Sequence, residues 1–363
     1  VADDLDIDLV LITGAGASRT FGVNQTQLPL MGEWSDHLVR KLGEQPGGYL
    51  AATKLEKGLG GEEFERRLGG FLRSVNAFKG VGDLLGPLTS IQGGVRPQGN
   101  EGDWRQWHDA LSFQLDQIVK VIYETLYEMF GAPRFDPGLA QGTYGRLLST
   151  IGISESSRWV YATTNYDTIG ETAISLNGGL PDVGEVQTPP GVSELPIRVD
   201  GLLGGMPRYI PVLHLHGRVG WFRRPGVGLR SVPVERYSAD IGTPVAMLPD
   251  LDKTYDGDPT IESLWREFAS ALARAKRVLV LGHSLHDRAL IRTMREAVEA
   301  ETRIAVTVYE NPEEPTDAAD VKARVEADLP NARLIPFRFE ANRDFISEPL
   351  RSWLTSTGGT VRD

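Results

Sequence analysis

No cysteine occurs among the 363 residues. That absence excludes a disulfide framework, a thiol nucleophile, an iron–sulfur cluster and any cysteine-ligated zinc, and it is the usage expected of a cytosolic protein. Positive charge is the minority sign: 38 Lys and Arg face 49 Asp and Glu, for a formal net charge of −11 and a pI near 5.2. Such a surface repels phosphate backbones, so autonomous nucleic-acid binding is not expected. No run approaches the roughly 18 to 20 apolar residues of a membrane span. The acidic start Val1-Ala2-Asp3-Asp4 is the opposite of a signal peptide's basic opening. These features predict a cytoplasmic location and no membrane association. The length suffices for about two domains, or for one large α/β domain with insertions.

Apolar runs typical of buried parallel strands are present, and most end in small or polar residues. Leu9 to Thr13 runs straight into Gly14-Ala15-Gly16-Ala17-Ser18, Trp159 to Thr163 into Thr164-Asn165-Tyr166-Asp167, Tyr209 to Leu215 into His216-Gly217, and Arg277 to Leu281 into Gly282-His283-Ser284. Two further strands are expected at Ile304 to Tyr309 and Arg333 to Phe337. Helices are expected over about 167–176, 261–275, 288–300, 318–327 and 344–354. Strands alternating with helices predict an α/β fold with a doubly wound, Rossmann-like parallel sheet. Residues about 33–150 read as a helical insertion, best developed from Trp107 to Phe130, where Leu111, Leu115, Ile118, Val119, Ile122, Leu126 and Met129 recur at helical spacing. Within it, 91–102 is Gly-rich and polar, and a loop is expected. A second insertion over about 177–207, rich in Gly and Pro, is expected to be loop with at most a short hairpin. One continuous domain over 1–363 is the expected organisation.

In an open parallel sheet, ligands lie outside the carboxyl ends of the strands, so the strand exits are where chemistry is expected. The glycine turn 14–18 suits a pyrophosphate: small residues admit backbone N–H groups, the next helix offers its N-terminus, and Ser18 adds a hydroxyl. It departs from the dehydrogenase fingerprint, because Arg19 stands where a third glycine belongs. The same residues could instead only tighten a strand exit. Asn165 can fix a water or an amide and Asp167 can hold ribose hydroxyls or stabilise positive charge, or the two can form an Asx turn opening the next helix. Of six histidines, four fall at two exits: His214 and His216, His283 and His286. His216, just before a glycine, is a candidate general base. His214 reads as a core residue, although strand alternation would also let it share a face with His216 as a metal-ligand pair. His283 and His286 can line a nucleotide or face solvent, and His37 and His108 read as bystanders on helices. Trp221 reads as a core or hairpin residue. A metal-dependent hydrolase built on His214, His216, His283 and Asp287 is a further reading of the same residues.

Taken in order, Gly14 to Ser18, Thr163 to Asp167, His214 to Gly217 with Trp221, and Leu281-Gly282-His283-Ser284-Leu285-His286-Asp287 resemble the sirtuin-like family, and most closely its bacterial NAD-hydrolysing branch of antiphage effectors. The stretch from Met247 to Lys253 and Trp265 is also similar to that branch. The resemblance implies NAD+ as substrate. Gly14, Ala15, Gly16, Ala17 and Ser18 would hold the pyrophosphate, and Thr164, Asn165 and Asp167 would lie at the nicotinamide and its ribose. His216 would be the base, and Gly282, His283, Ser284, Leu285 and Asp287 would face the adenosine side. Glu310 or Asn311 would reach the adenine ribose. Protein-deacylating sirtuins carry a four-cysteine zinc module and a Pro-Asp-Phe-Arg type of segment after the glycine turn; this chain has neither. No zinc is therefore expected. With no acyl group to attack the ribose, water becomes the nucleophile, and NAD+ glycohydrolysis is the expected activity. A non-catalytic NAD or ADP-ribose sensor is the alternative. The resemblance further implies a homo-oligomer, or a motor ATPase partner, as the restraint on activity.

Overall fold

The computed structural model describes residues 6–19, 31–44, 55, 61–91, 101–130, 147–151, 158–186, 194–204, 209–233, 241–248, 258–309, 315–337 and 348–356. In chain order, strand β1 (Leu9–Thr13) and helix α1 (Ala15–Arg19) are followed, among the described residues, by helices α2 (Met31–Gly43), α3 (Gly61–Ile91) and α4 (Glu101–Phe130). Then come β2 (Trp159–Thr163), α5 (Ile169–Leu176), β3 (Leu180–Asp182), β4 (Leu195–Pro196), β5 (Tyr209–His214), β6 (Gly217–Arg224), β7 (Gly228–Ser231) and β8 (Thr243–Ala246). The chain continues with α6 (Pro259–Ala273), β9 (Arg277–Leu281), α7 (Arg288–Ala297), β10 (Arg303–Tyr309), α8 (Pro315–Asp328), β11 (Arg333–Phe337) and α9 (Glu348–Thr355).

Seven strands form one parallel sheet in the order β11-β10-β9-β1-β2-β5-β3. The fold is α/β with the expected Rossmann-like parallel sheet. All five residues of β1 and of β2 are buried, which is why both read as unbroken apolar runs rather than as an alternation. The chain builds outward from β1 through β2 and β5, then returns to place β9 on the other side of β1. The reversal creates a switch point between β1 and β9, where a ligand crevice is expected at the carboxyl ends.

At that switch point two loops are nested backbone to backbone. Gly14 N–H donates to the Leu281 carbonyl at 3.1 Å and Gly16 N–H to the Gly282 carbonyl at 3.0 Å. Gly282 has φ +60°, and a Cβ there would lie 2.3 Å from the Ala17 nitrogen. The glycines are therefore required for loop against loop, whatever else binds nearby. Gly282→Ala is expected to lose about 2 kcal/mol or more, from the left-handed backbone and the collision together. A urea midpoint equal to that of the unsubstituted protein would contradict this nesting.

A second, four-stranded antiparallel sheet, β4-β7-β6-β8, springs from the residue after His216. It was not anticipated, although Val219, Trp221 and Phe222 before the Pro225-Gly226 turn carry a hairpin's signature. Trp221 is fully buried in this hairpin. The 177–207 segment expected as loop supplies β3, β4 and a bridge between Glu185 and Ile197. Elements of two or three residues leave no periodicity to read; they exist because the neighbouring strands accept their hydrogen bonds.

The chain divides into two compact units, one of Val1–Leu28, Phe130–Met247 and Thr254–Asp363, the other of Pro29–Met129 and Leu248–Lys253. The second is helical and has its own core. Trp34 of α2 is fully buried, meets Phe64 of α3 edge-on with ring centroids 5.4 Å apart, and donates its indole N–H to Thr125 of α4 at 3.2 Å. His37 contacts Glu128 at 3.0 Å and His108 stacks on Phe78, both within this unit. The loop expected over 91–102 falls at 92–100 outside the described residues. None of the described helices is long and apolar enough to cross a membrane.

Candidate active site

The carboxyl ends of β1, β2, β5 and β9 bring most of the expected residues together. Asn165, just past β2 and 8% exposed, donates Nδ2–H groups to the Gly14 carbonyl at 2.9 Å and to Ser18 Oγ at 2.8 Å. Ser18 in turn lies beside the Asp167 carboxylate and lowers its pKa. Three side chains from two strand exits thus form one buried polar cluster. The Ser18 hydroxyl, expected at a pyrophosphate, is the link in the middle. Asp167 Oδ1 also accepts from the Ile169 amide at 3.0 Å, so the Asx turn exists, with Thr168 rather than Asp167 at the helix cap position. Burial pushes the Asp167 carboxyl above its ordinary value, against the lowering effects of the Ile169 amide, Ser18 and His214.

The N–H groups of the glycine turn are largely engaged within the chain: those of Gly14 and Gly16 as described, and that of Ala17 on the Gly14 carbonyl at 2.9 Å. Ala15 is exposed. Thr164 donates its amide to the Thr13 carbonyl at 3.2 Å, tying β2 to β1.

His216 is carried on a rigid backbone. Met247 N–H donates to the His216 carbonyl at 2.7 Å, Trp265 Nε1–H to the Leu215 carbonyl at 2.9 Å, and Leu215 N–H to the Thr163 carbonyl at 2.8 Å. Its ring lies 6.3 Å from that of Tyr166, whose hydroxyl donates to the Met247 carbonyl. Its Nε2 meets Asp287 Oδ2 at 2.7 Å. Beyond β9, His283 Nδ1 accepts from the Leu285 amide at 2.9 Å, Leu285 is buried with φ +57°, and Ser284 is exposed. Asp287 caps α7, Oδ1 accepting from Ala289 and Leu290 at 3.0 and 3.1 Å. Glu310 lies outside the described residues.

Residues 160–328 match the SIR2-like domain. The match runs from β2 to the end of α8, spanning Asn165, Asp167, His216 and Asp287 and leaving the glycine turn of β1 outside it. Domains of this kind are in general NAD-dependent enzymes, which supports the sirtuin-like resemblance. No curated protein matches the chain.

One cluster in the SIR2-like domain was not anticipated. His214 and His216 do not share a face as a ligand pair, because β5 ends at His214 and the chain turns at 215–216. His214 is 1% exposed and points the other way, its Nδ1–H toward the Asn165 carbonyl at 3.4 Å and its Nε2 facing Glu171 Oε2 at 3.5 Å. The other Glu171 oxygen takes both Nε and an Nη of Arg218, at 2.9 and 2.5 Å. Only the spacing hinted at this: Glu171 lies one helical turn past Asp167, and Arg218 follows His216-Gly217. Among the described residues no three His, Asp or Glu side chains converge as a metal-ligand group.

Burial pushes the Glu171 carboxyl up, but the Arg218 charge and His214 outweigh it and bring it from 4.5 to about 2. A lowered carboxyl contributes stability that is fully present above pH about 4.5 and is lost as pH falls toward 2. The contribution is on the order of 3 kcal/mol. Glu171→Gln should therefore flatten the dependence of unfolding free energy on pH between about 5 and 2. A slope unchanged by the substitution would overturn this ionic arrangement.

Proposed function

We propose that this protein is an NAD+ glycohydrolase, releasing nicotinamide and ADP-ribose. The observation that carries the reading is the gathering of His216, Asn165 and Asp167 at the strand exits beside the switch point of a chain with a SIR2-like domain. Water attacks the anomeric carbon of the nicotinamide ribose, the carbon–nitrogen bond breaks with its electron pair going to nicotinamide, and His216 takes the proton from the water. Asn165, its Nδ2 committed to Gly14 and Ser18, contributes Oδ1 as the acceptor that orients water or carboxamide. Asp167 holds the ribose and balances the oxocarbenium charge of the transition state. The reaction as written uses no metal.

The glycine turn and the Gly282–Asp287 loop frame the phosphate and adenosine side. Because several turn N–H groups already serve the neighbouring loop, a pyrophosphate is received by Ala15 and the rim rather than by every amide of the turn. Unrestrained cleavage would drain the cytoplasmic NAD+ on which the cell depends. The activity is accordingly read as gated, by homo-oligomer assembly or by a motor ATPase partner, in antiphage defence through NAD+ depletion; the sequence resemblance supports this part. The test is incubation of the purified protein with NAD+ over a range of protein concentrations, with nicotinamide and ADP-ribose quantified together. Equimolar release is expected, rising more steeply than protein concentration if assembly is the gate. Nicotinamide released with the ADP-ribosyl group left on protein would replace hydrolysis by transfer.

A further inference from the structure

We infer that Asp287 is a positioning residue for His216, fixing which ring nitrogen carries the proton, and not a contact to the nucleotide. The inference rests on the glycohydrolase reading for its kinetic arm only.

The two residues stand 71 positions apart and come from different strand exits, yet His216 Nε2 and Asp287 Oδ2 are 2.7 Å apart. Their side chains are 6% and 7% exposed, so the contact is shielded from water and electrostatically strong. Asp287 cannot swing away cheaply, because its second oxygen is held by the Ala289 and Leu290 amides at the start of α7. The loop that delivers it is equally constrained: Gly282 and Leu285 both have positive φ, and the Leu285 amide is bound by His283. A buried leucine in that conformation stores strain that a simple connection from strand to helix would avoid.

The fold itself does not require this pairing. Capping α7 takes one oxygen and no charge, and asparagine or serine serves as well as aspartate. What aspartate adds is a second, negatively charged acceptor aimed at the imidazole. A carboxylate acceptor requires the proton on Nε2, which leaves the lone pair on Nδ1 as the basic position, and it stabilises the imidazolium once that nitrogen has taken a proton.

Asp287→Asn separates the roles. The amide oxygen can keep the cap while the amide nitrogen faces His216, so the helix survives and the imbalance falls on the ring: a donor now opposes Nε2, and the proton moves to Nδ1. Three readouts are expected. The melting temperature stays close to that of the unsubstituted protein. The kcat for nicotinamide release falls about 10²- to 10⁴-fold with KM for NAD+ little changed. In protein labelled with ¹⁵N-histidine, with His216→Gln providing the assignment, the His216 resonances change from the Nε2–H to the Nδ1–H pattern. A raised KM with kcat preserved, or an unaltered tautomer, would overturn the inference, the former making Asp287 a nucleotide contact. If the unsubstituted protein releases no nicotinamide, the function reading loses its support from the isolated chain, while the tautomer measurement still decides the role of Asp287.

Discussion

His216→Ala is expected to reduce nicotinamide release from NAD+ by about 10²-fold or more, the usual contribution of a positioned general base. The imidazole is nearly buried, its backbone is held by Met247, and the Leu215 peptide beside it is held by Trp265 and Thr163. Deleting the ring should therefore remove the base without moving the strand exit that carries it. The substitution removes the hydrogen bond to Asp287, whose other oxygen still caps α7. Full cleavage by the alanine variant would eliminate His216 as the base and, with it, the mechanism proposed here. Comparison with Asn165→Ala separates chemistry from scaffolding: losing the amide also releases Gly14 and Ser18, so that variant should lose activity and thermal stability together.

Arg218→Met should destabilise the protein by about 3–5 kcal/mol, the cost of leaving one member of a buried ion pair without its partner. Glu171 would remain enclosed, and burial would then act on its carboxyl against His214 but no longer against the Arg218 charge. A fall in melting temperature of roughly 10 °C is the corresponding observation. The pair Arg218→Met with Glu171→Gln should recover part of the loss, since an uncharged pair no longer strands a buried charge. A single variant melting with the unsubstituted protein would mean that the cluster does not support the site. Because His214 reaches the Asn165 carbonyl, activity should fall in Arg218→Met even at temperatures where it stays folded.

Six of the seven strands of the parallel sheet were legible in the sequence. β1, β2 and β9 have the expected bounds, because strands buried on both faces are apolar nearly throughout and stop where polarity returns; the edge strand β11, with Arg333 and Pro336 exposed, also has its expected bounds. The exits were legible for the same reason: small and polar groups have no place in a buried strand, so their appearance marks the rim. The short pieces β3 and β4 and the sheet around β6 were not, since their stability comes from neighbours distant in sequence. His214, read as a core residue, is buried at the end of β5, and His216 diverges from it because the strand ends there.

The sequence by itself determined a doubly wound α/β frame, its helical insertion, the exclusion of cysteine chemistry, and the residues crowding the strand exits. These follow from local pattern, which the backbone reads within a few residues. Only the tertiary structure decided what those residues do to one another. It nests Gly282 against the glycine turn, makes Ser18 a bridge between Asn165 and Asp167, sets Arg218 on Glu171, and joins His216 to Asp287. Each is a contact between segments that are far apart in the chain. Such contacts are set by strand order and register, which no local pattern encodes.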